Sequence, residues 1–395
     1  MHLKQPKVAL LIETARSYGR GLLRGIAKYS RLHGPWQFHL TPGDFEQMVP
    51  KMRDWGGTGI IARVLNEKMA EAIMQTGVPA VFLDFPPLMM KKSNGNRRRY
   101  IEMSSDSEGA ARMAAFHLRD KQLVHFAFAG YPSQIWSEKR EKAFVQAVRE
   151  AGHSVHVYKP PLRSGRLTSW EKEEPALAAW LSSLPTPLGL MACNDQRGRE
   201  VLDVCEAVGI RVPEKIAVVG VDNDDILCDL SSPPLSSIAL NTEKGGYVAA
   251  GVLHDMMRGR RIAVENILVE PLAVVERRST NIVAVNDDDI AATLRFIHLQ
   301  PPGCISIDAV VREVAISRRA LEIKFRKVLG KSILDEIRRV RIEHSKRLLR
   351  ETTLAIPRIA MDVGFRTPSY FTQVFKTETG MTPAKYRSTI HEGEM

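Results

Sequence analysis

Residues 307–330, IDAVVREVAISRRALEIKFRKVLG, and residues 356–380, IPRIAMDVGFRTPSYFTQVFKTETG, share one reading: a short helix, a tight turn, then a second helix opening on a small hydroxyl residue. In the first stretch Leu321, Phe325 and Val328 recur at i, i+4 and i+7, which predicts one buried stripe and leaves Arg319, Glu322, Ile323 and Arg326 facing out. In the second, Thr367 suits the N-cap and Pro368 the first helical position, where a missing N–H loses no partner. Phe371, Val374 and Phe375 then turn inward, and Ser369, Tyr370, Thr372 and Gln373 outward. Between the two, residues 333–350 place Ile333, Ile337, Val340 and Leu348 at helical spacing. That spacer rises ~27 Å, close to the ~34 Å between successive major-groove segments on one face of B-DNA. The predicted geometry puts both second helices in neighbouring major grooves.

Charge supports that geometry. Residues 290–390 hold 19 Lys/Arg against 9 Asp/Glu, so this segment carries nearly all of the chain's net charge of +11. A nearly neutral body with a basic C-terminal module is what a phosphate-facing surface requires.

The same residues carry a family resemblance. Ile356, Ile359, Ala360, Gly364, Phe365, Phe371, Phe375, Lys376, Gly380, Thr382, Pro383, Tyr386 and Arg387 stand in register with the second half of the AraC/XylS-type DNA-binding domain. The first half resembles it too, with Ala315-Ile316 where its turn often has glycine. The resemblance implies promoter double-stranded DNA as a partner. It implies base contacts from Arg319 and Glu322 in the first helix and from Ser369, Tyr370 and Gln373 in the second. Arginine suits guanine, glutamine adenine, and glutamate cytosine N4. Arg318, Lys324, Arg326, Lys376 and Lys385 are expected on phosphates, Ile323 or Ala320 against a thymine methyl, and Thr367 at the helix mouth.

The remaining 280 or so residues alternate short apolar runs with amphipathic stretches. VALLIET, FHLT, GTGIIARV, AVFLDF, YIEMS, HFAFAG, GLMACN and IAVVGVD read as strands separated by helices, which predicts parallel sheets covered on both faces. The length suits two doubly wound lobes. Ligands in such sheets sit beyond the C-terminal strand ends, and those positions are polar: Glu13, Arg16, Tyr18 and Arg20, then Asp84, Asp106, Asn194 with Asp195, and Asp222 with Asn223. Arg140 opens the helix after HFAFAG, with Tyr131 and Trp136 nearby. Carboxylates, amides, arginine and ring faces together suit a polyhydroxylated ligand. Any one of these residues is equally at home as a helix cap or turn residue.

Residues 191–225, MACNDQRGREVLDVCEAVGIRVPEKIAVVGVDNDD, resemble the effector domain of LacI/GalR repressors and periplasmic sugar-binding proteins, as does the helix opening on Asp106. By that similarity Asp106, Arg140, Asn194 and Asp222 match effector-contacting positions. The resemblance implies three crossings between lobes, expected near residues 118, 238 and 267. The domains are therefore an effector domain over 1–283 (one lobe about 1–118 and 238–266, the other about 119–237 and 267–283), a linker over 284–290, and a DNA-binding domain over 291–390. An effector domain of this type with its DNA-binding unit at the C-terminus resembles the xylose-regulator family over nearly the whole chain. That implies a cytoplasmic homodimeric activator, with D-xylose as effector and RNA polymerase as a further partner. A repressor, or a regulator answering to another pentose or hexose, is the alternative.

Other classes are disfavoured. Asp222, Asp224 and Asp225 with Cys228 could suggest an enzyme, but no general-base histidine, nucleophile elbow or phosphate loop accompanies them, so no catalytic residue, metal or cofactor is expected. The run from Val8 to Ile12 is too short for a signal-peptide core, and nothing approaches the about 20 apolar residues of a membrane span. Cys193, Cys205, Cys228 and Cys304 are scattered and read as free thiols of a reducing compartment. The basic stretch Lys91 to Tyr100, KKSNGNRRRY, departs from the usual effector domains and is expected to be a solvated loop.

Overall fold

The computed structural model describes residues 5–40, 56–64, 66–84, 99–132, 134–163, 166–167, 169–260, 262–281 and 287–393. Most of the basic stretch at 91–100 and the junction at 282–286 lie outside them. The chain divides into two units, Met1–Ile282 and Val283–Met395.

Two six-stranded sheets build the first unit. The first sheet takes β1 (Lys7–Leu11), β2 (Gln37–Leu40), β3 (Gly59–Arg63), β4 (Ala80–Leu83), β5 (Tyr100–Ser105) and β13 (Asn266–Val269), in the order β13-β5-β4-β3-β1-β2, all parallel. The second takes β6 (His125–Ala129), β7 (Val155–Val157), β10 (Leu188–Ala192), β11 (Ile216–Asp222), β12 (Ser236–Leu240) and β14 (Pro271–Val275), in the order β14-β12-β11-β10-β6-β7, with β14 antiparallel. A small hairpin, β8 (Leu162–Arg163) and β9 (Arg166–Leu167), lies apart from both. The central strands are buried along their length, Leu188–Ala192 completely, because helices cover both faces. These helices are α1 (Ser17–His33), α2 (Glu67–Gln75), α3 (Ser107–Asp120), α4 (Ile135–Glu150), α5 (Trp170–Ser183), α6 (Asp195–Ala207), α7 (Asp225–Asp229) and α8 (Thr242–Met257). Helices α1 and α8 meet through glycine: a Cβ on Gly25 would sit 2.0 Å from the Glu243 carbonyl oxygen, and one on Gly246 2.1 Å from that of Leu22.

The lobe crossings differ from the expectation. The first falls at Asp106, before α3, because that helix turns Ala110, Ala111, Ala114 and Leu118 onto the second sheet, where Leu118 packs on Gly189 of β10. The reading near 118 credited α3 to the strand preceding it. The other two crossings fall at Asn241 and Glu270, a few residues after the expected 238 and 267, once β12 and β13 have ended. The three crossings lie side by side: Asp106 N–H donates to Val269 O at 3.0 Å and Asn241 N–H to Glu270 O at 2.9 Å.

The second unit is helical: α9 (Asp288–Leu299), α10 (Ile307–Val314), α11 (Arg318–Leu329), α12 (Ile333–Glu351), α13 (Ile356–Asp362), α14 (Pro368–Thr379) and α15 (Pro383–Gly393). Asp287 caps α9 and Ile290 is fully buried, so residues 287–290 belong to this unit rather than to a linker. Two cores form. Ile290, Leu294, Ile297, Val310, Leu321 and Phe325 pack with Ile333 and Ile337 from the first half of α12. Ile359, Phe365, Phe371 and Phe375 pack with Ile342 and Leu349 from its second half. Val328, expected inside, is 42% exposed; Leu329 packs against the core in its place, continuing Leu321 and Phe325 at the wider four-residue step.

The first turn carries strain. Ala315 adopts φ +56°, left-handed, where the second turn has Gly364 at φ +85°. A side chain in that region costs about 1–2 kcal/mol, partly offset by the extra backbone freedom glycine has when unfolded. Ala315→Gly should therefore stabilise the unit by about 1 kcal/mol, read as an upward shift in its thermal transition; a shift in the other direction would contradict it.

Candidate functional site

Within the first unit, the C-terminal strand ends of both lobes bring charged side chains together. Arg63, the last residue of β3, donates from Nε to Glu13 Oε2 at 2.8 Å and from Nη1 to Asp84 Oδ2 at 2.6 Å, and its guanidinium lies 5.2 Å from the centre of the Tyr18 ring. Burial pulls the Arg63 pKa down, but Glu13 and Asp84 overcome it and the net shift is upward. Burial, then Asp84, drives the Tyr18 phenol well above its ordinary pKa, so it stays a neutral donor.

Across from this cluster, Arg140 of α4 is 3% exposed. Its Nη1 donates to Cys193 O at 2.5 Å, and its Nη2 lies 3.3 Å from both Ser105 Oγ of the first lobe and Asp222 Oδ1 of the second. Its buried Nε–H has no acceptor among the described residues. Trp136 lays its ring 5.4 Å from the same guanidinium. Burial raises the Asp222 carboxyl and Arg140 works against the shift; the charges of Arg63 and Asp84 reach it from the other lobe.

The backbone is strained at these positions. Asp84 (φ +53°), Asp222 (φ +105°) and Asn223 (φ +49°) are non-glycine residues at positive φ, each where a strand hands over to its loop. Strain of this kind collects where a ligand is clamped.

Tyr18, Asp84, Trp136, Arg140 and Asp222 therefore converge. Three other expected residues are engaged by protein partners. Asp106 caps α3 by accepting from Gly109 N–H at 2.9 Å, and Asn194 caps α6 by accepting from Arg197 N–H at 2.9 Å. Arg20 donates to Ala15 O at 2.5 Å and approaches Asp224 at 3.6 Å. Tyr131 turns to Glu200, its hydroxyl 2.9 Å away, beneath the guanidinium of Arg197. Arg63 was missed; the available signal was a single arginine ending the apolar run GIIAR.

The second unit presents α11 and α14 as exposed helices. Ser317 and Thr367 cap them, and Arg319, Glu322, Ile323 and Arg326 on the first and Ser369, Tyr370, Gln373 and Lys376 on the second face solvent. Arg318 is paired with Glu322 at 3.0 Å and with Asp308 at 3.5 Å, so the expected phosphate contact and base reader hold one another. Tyr370 accepts from Arg338 at 3.2 Å. Lys324, expected on a phosphate, has its ammonium held by Asp287 and Asp289 at 2.9 and 2.5 Å, pinning α9 to α11.

Among the described residues no helix is long and apolar enough to cross a membrane, and no cluster of three potential metal ligands occurs. Cys193, Cys205 and Cys228 are buried free thiols; burial pushes Cys193 up to about 11 and Cys205 to about 12.

Comparison with known proteins follows the same division. Residues 7–84 match the XylR N-terminal domain, 115–280 the periplasmic binding protein-like domain, and 310–389 a helix-turn-helix domain. The chain is 31% identical to the xylose operon regulatory protein of Escherichia coli K12 over 99% of both chains. It is 29% identical to the Haemophilus influenzae protein of the same name, over 96% of this chain and 98% of that one. A solved structure described as the xylose-binding transcription activator xylR superposes with a TM-score of 0.79 at 30% identity, covering 98% of this chain and 99% of that one. A two-lobed effector fold, a double helix-turn-helix unit and a full-length match lead to one conclusion: the chain belongs to the family of xylose operon regulatory proteins, DNA-binding transcription regulators with a sugar-binding domain.

Proposed function

We propose that this chain is a cytoplasmic, homodimeric, D-xylose-responsive transcription activator that works on promoter DNA with RNA polymerase. The observation carrying the sugar reading is Arg140. It is buried, bonded to both lobes, and keeps an unspent Nε–H opposite the Arg63–Glu13–Asp84 cluster. Charged donors and acceptors at that density satisfy hydroxyls pointing in several directions, and the Tyr18 and Trp136 rings suit the C–H faces of an aldose. D-Xylose, and activation rather than repression, are favoured by the full-length similarity to the solved xylose-binding activator. Thermal-shift screening tests the effector: a specific sugar at 100 times its dissociation constant adds about 2.7 kcal/mol. D-Xylose should produce that shift, and a hexose producing it alone would transfer the reading to another sugar.

Arg319, Glu322, Ser369, Tyr370 and Gln373 read bases, Ile323 meets a thymine methyl, and Arg318, Arg326 and Lys376 hold phosphates, with Thr367 at the mouth of α14. The support is their exposure on the outer faces of two capped helices whose opposite faces fill two cores. Gln373→Ala should cost roughly 1–3 kcal/mol on the cognate site and relax preference at one base pair. A loss equal on every sequence would remove Gln373 from base reading. Sugar acts by population shift, since a ligand with equal affinity for open and closed lobes changes nothing.

A further inference from the structure

Helix α1 opens without a cap of its own. Its N-cap residue is Arg16, whose side chain makes no capping hydrogen bond, and its first turn holds no acidic residue. The cap comes from the other lobe: Ser17 N–H donates to Asp224 Oδ2 at 2.8 Å, and Arg20 Nη2 stands 3.6 Å from the same oxygen. Asp224 is buried and held from behind, its own N–H donating to Asp195 Oδ2 at 2.6 Å while Ser237 donates to Asp195 Oδ1 at 2.5 Å. Two residues upstream, on the strained backbone, is Asp222, the partner of Arg140.

We propose that Asp224 is a closed-state latch: it caps α1 across the cleft only when the lobes meet, and so sets how readily the sugar site opens without itself touching sugar. A carboxylate at a helix N-terminus satisfies a donor that otherwise lacks an intrahelical partner and meets the positive end of the helix dipole. Separating the lobes removes both, and strands Arg20 as well. A ligand that draws Asp222 toward Arg140 pulls on the loop carrying Asp224, so sugar and latch favour the same arrangement. Arg20 belongs to this latch, with its remaining donors on Thr14 O and Ala15 O.

The inference rests on the cleft being a sugar site, and the test separates the two. Ser17→Pro removes the donated N–H at the first position of a helix, where proline is well tolerated, and Arg16 already has the extended backbone that precedes proline (φ −104°, ψ 147°). Asp224→Ala removes the acceptor. In the full chain, spin labels at Glu71→Cys and Glu206→Cys, exposed positions on opposite lobes, report lobe separation in a Cys304→Ser background. Both variants should lengthen the separation without sugar and speed D-xylose release about tenfold with association unchanged, since the latch forms after entry. Asp224→Asn, which keeps an acceptor but loses the charge, should fall between. If the parent chain binds no aldose while both variants lengthen the separation, the latch stands and the sugar reading fails. Should Asp224→Ala not fold, Ser17→Pro decides alone. An unchanged separation and release rate in Ser17→Pro overturn the latch.

Discussion

Arg140→Ala is expected to weaken D-xylose binding by at least about 100-fold. The guanidinium, itself almost fully buried, joins Cys193 O, Ser105 and Asp222. A hydrogen bond to a charged group contributes about 1.5–3 kcal/mol, and 1.36 kcal/mol is tenfold in affinity. Removing the side chain deletes the donor proposed for the sugar and leaves the Asp222 carboxylate without its pair, which adds to the loss. Arg140→Lys should rescue little, because one ammonium cannot reach three acceptors that a planar fork spans. Calorimetric titration of the full chain measures both variants, and near-parental affinity in either one would remove Arg140 from the sugar site. Basal affinity for non-specific DNA should be unchanged, since that depends on the second unit.

Glu336→Ala should have its effect in the other unit. Glu336 is 1% exposed at the first turn of α12, and an imidazole and two cations surround it. His298 Nε2 is 2.8 Å away, Lys331 Nζ 2.6 Å, and Arg339 donates from both Nη2 and Nε at 2.6 and 3.0 Å. Burial opposes ionisation, but the hydrogen bonds from His298, Arg339 and Lys331 prevail and hold the carboxyl far below its ordinary pKa. A depressed carboxylate stabilises above its unfolded pKa of about 4.3 and loses that contribution as pH falls below it. Stability should therefore hold at neutral pH and decline below about pH 4. Lys331 and Arg339 are each about a third exposed and can rehydrate, so the loss lies near the low end of the 3–5 kcal/mol for breaking a buried pair, about 3 kcal/mol. Amide exchange across residues 288–350 should accelerate about 100-fold at pH 7 while that of residues 7–105 holds. Equal protection in variant and parent would refute the assignment.

How much of this was legible in the sequence depends on the range of the interaction. Periodicity marks Leu321 and Phe325, or Phe371 and Phe375, because a helix writes its buried face into neighbouring residues, and apolar runs mark the strands for the same reason. Lobe membership was less legible: α3 looks the same whichever sheet it covers, and only the packing of Leu118 on Gly189 decides. At the cleft, strand ends singled out Tyr18, Asp84, Asp106, Asn194 and Asp222 alike, and the pattern could not show that Asp106 and Asn194 also cap helices, since a cap and a ligand contact use the same side-chain oxygens. Arg63 was passed over and Asp224 was weighed only within a disfavoured catalytic cluster, because their partners lie 50 and 207 residues away. The pairing of Lys324 with Asp287 and Asp289 likewise leaves no trace in the local pattern.

Helix α12 runs through both cores of the second unit, and Arg341 near its middle donates to Ile305 O at 2.8 Å while stacking 5.8 Å from the centre of the Phe365 ring. One extra residue in that helix would turn everything beyond it by roughly 100° and advance it by about 1.5 Å. Such an insertion would tear one core from its shared rod, so mutation can explore new letters on the outer face of α11 or α14 far more easily than a new phase between them. Operators recognised by descendants of this chain would accordingly diverge in composition while their periodicity stayed frozen.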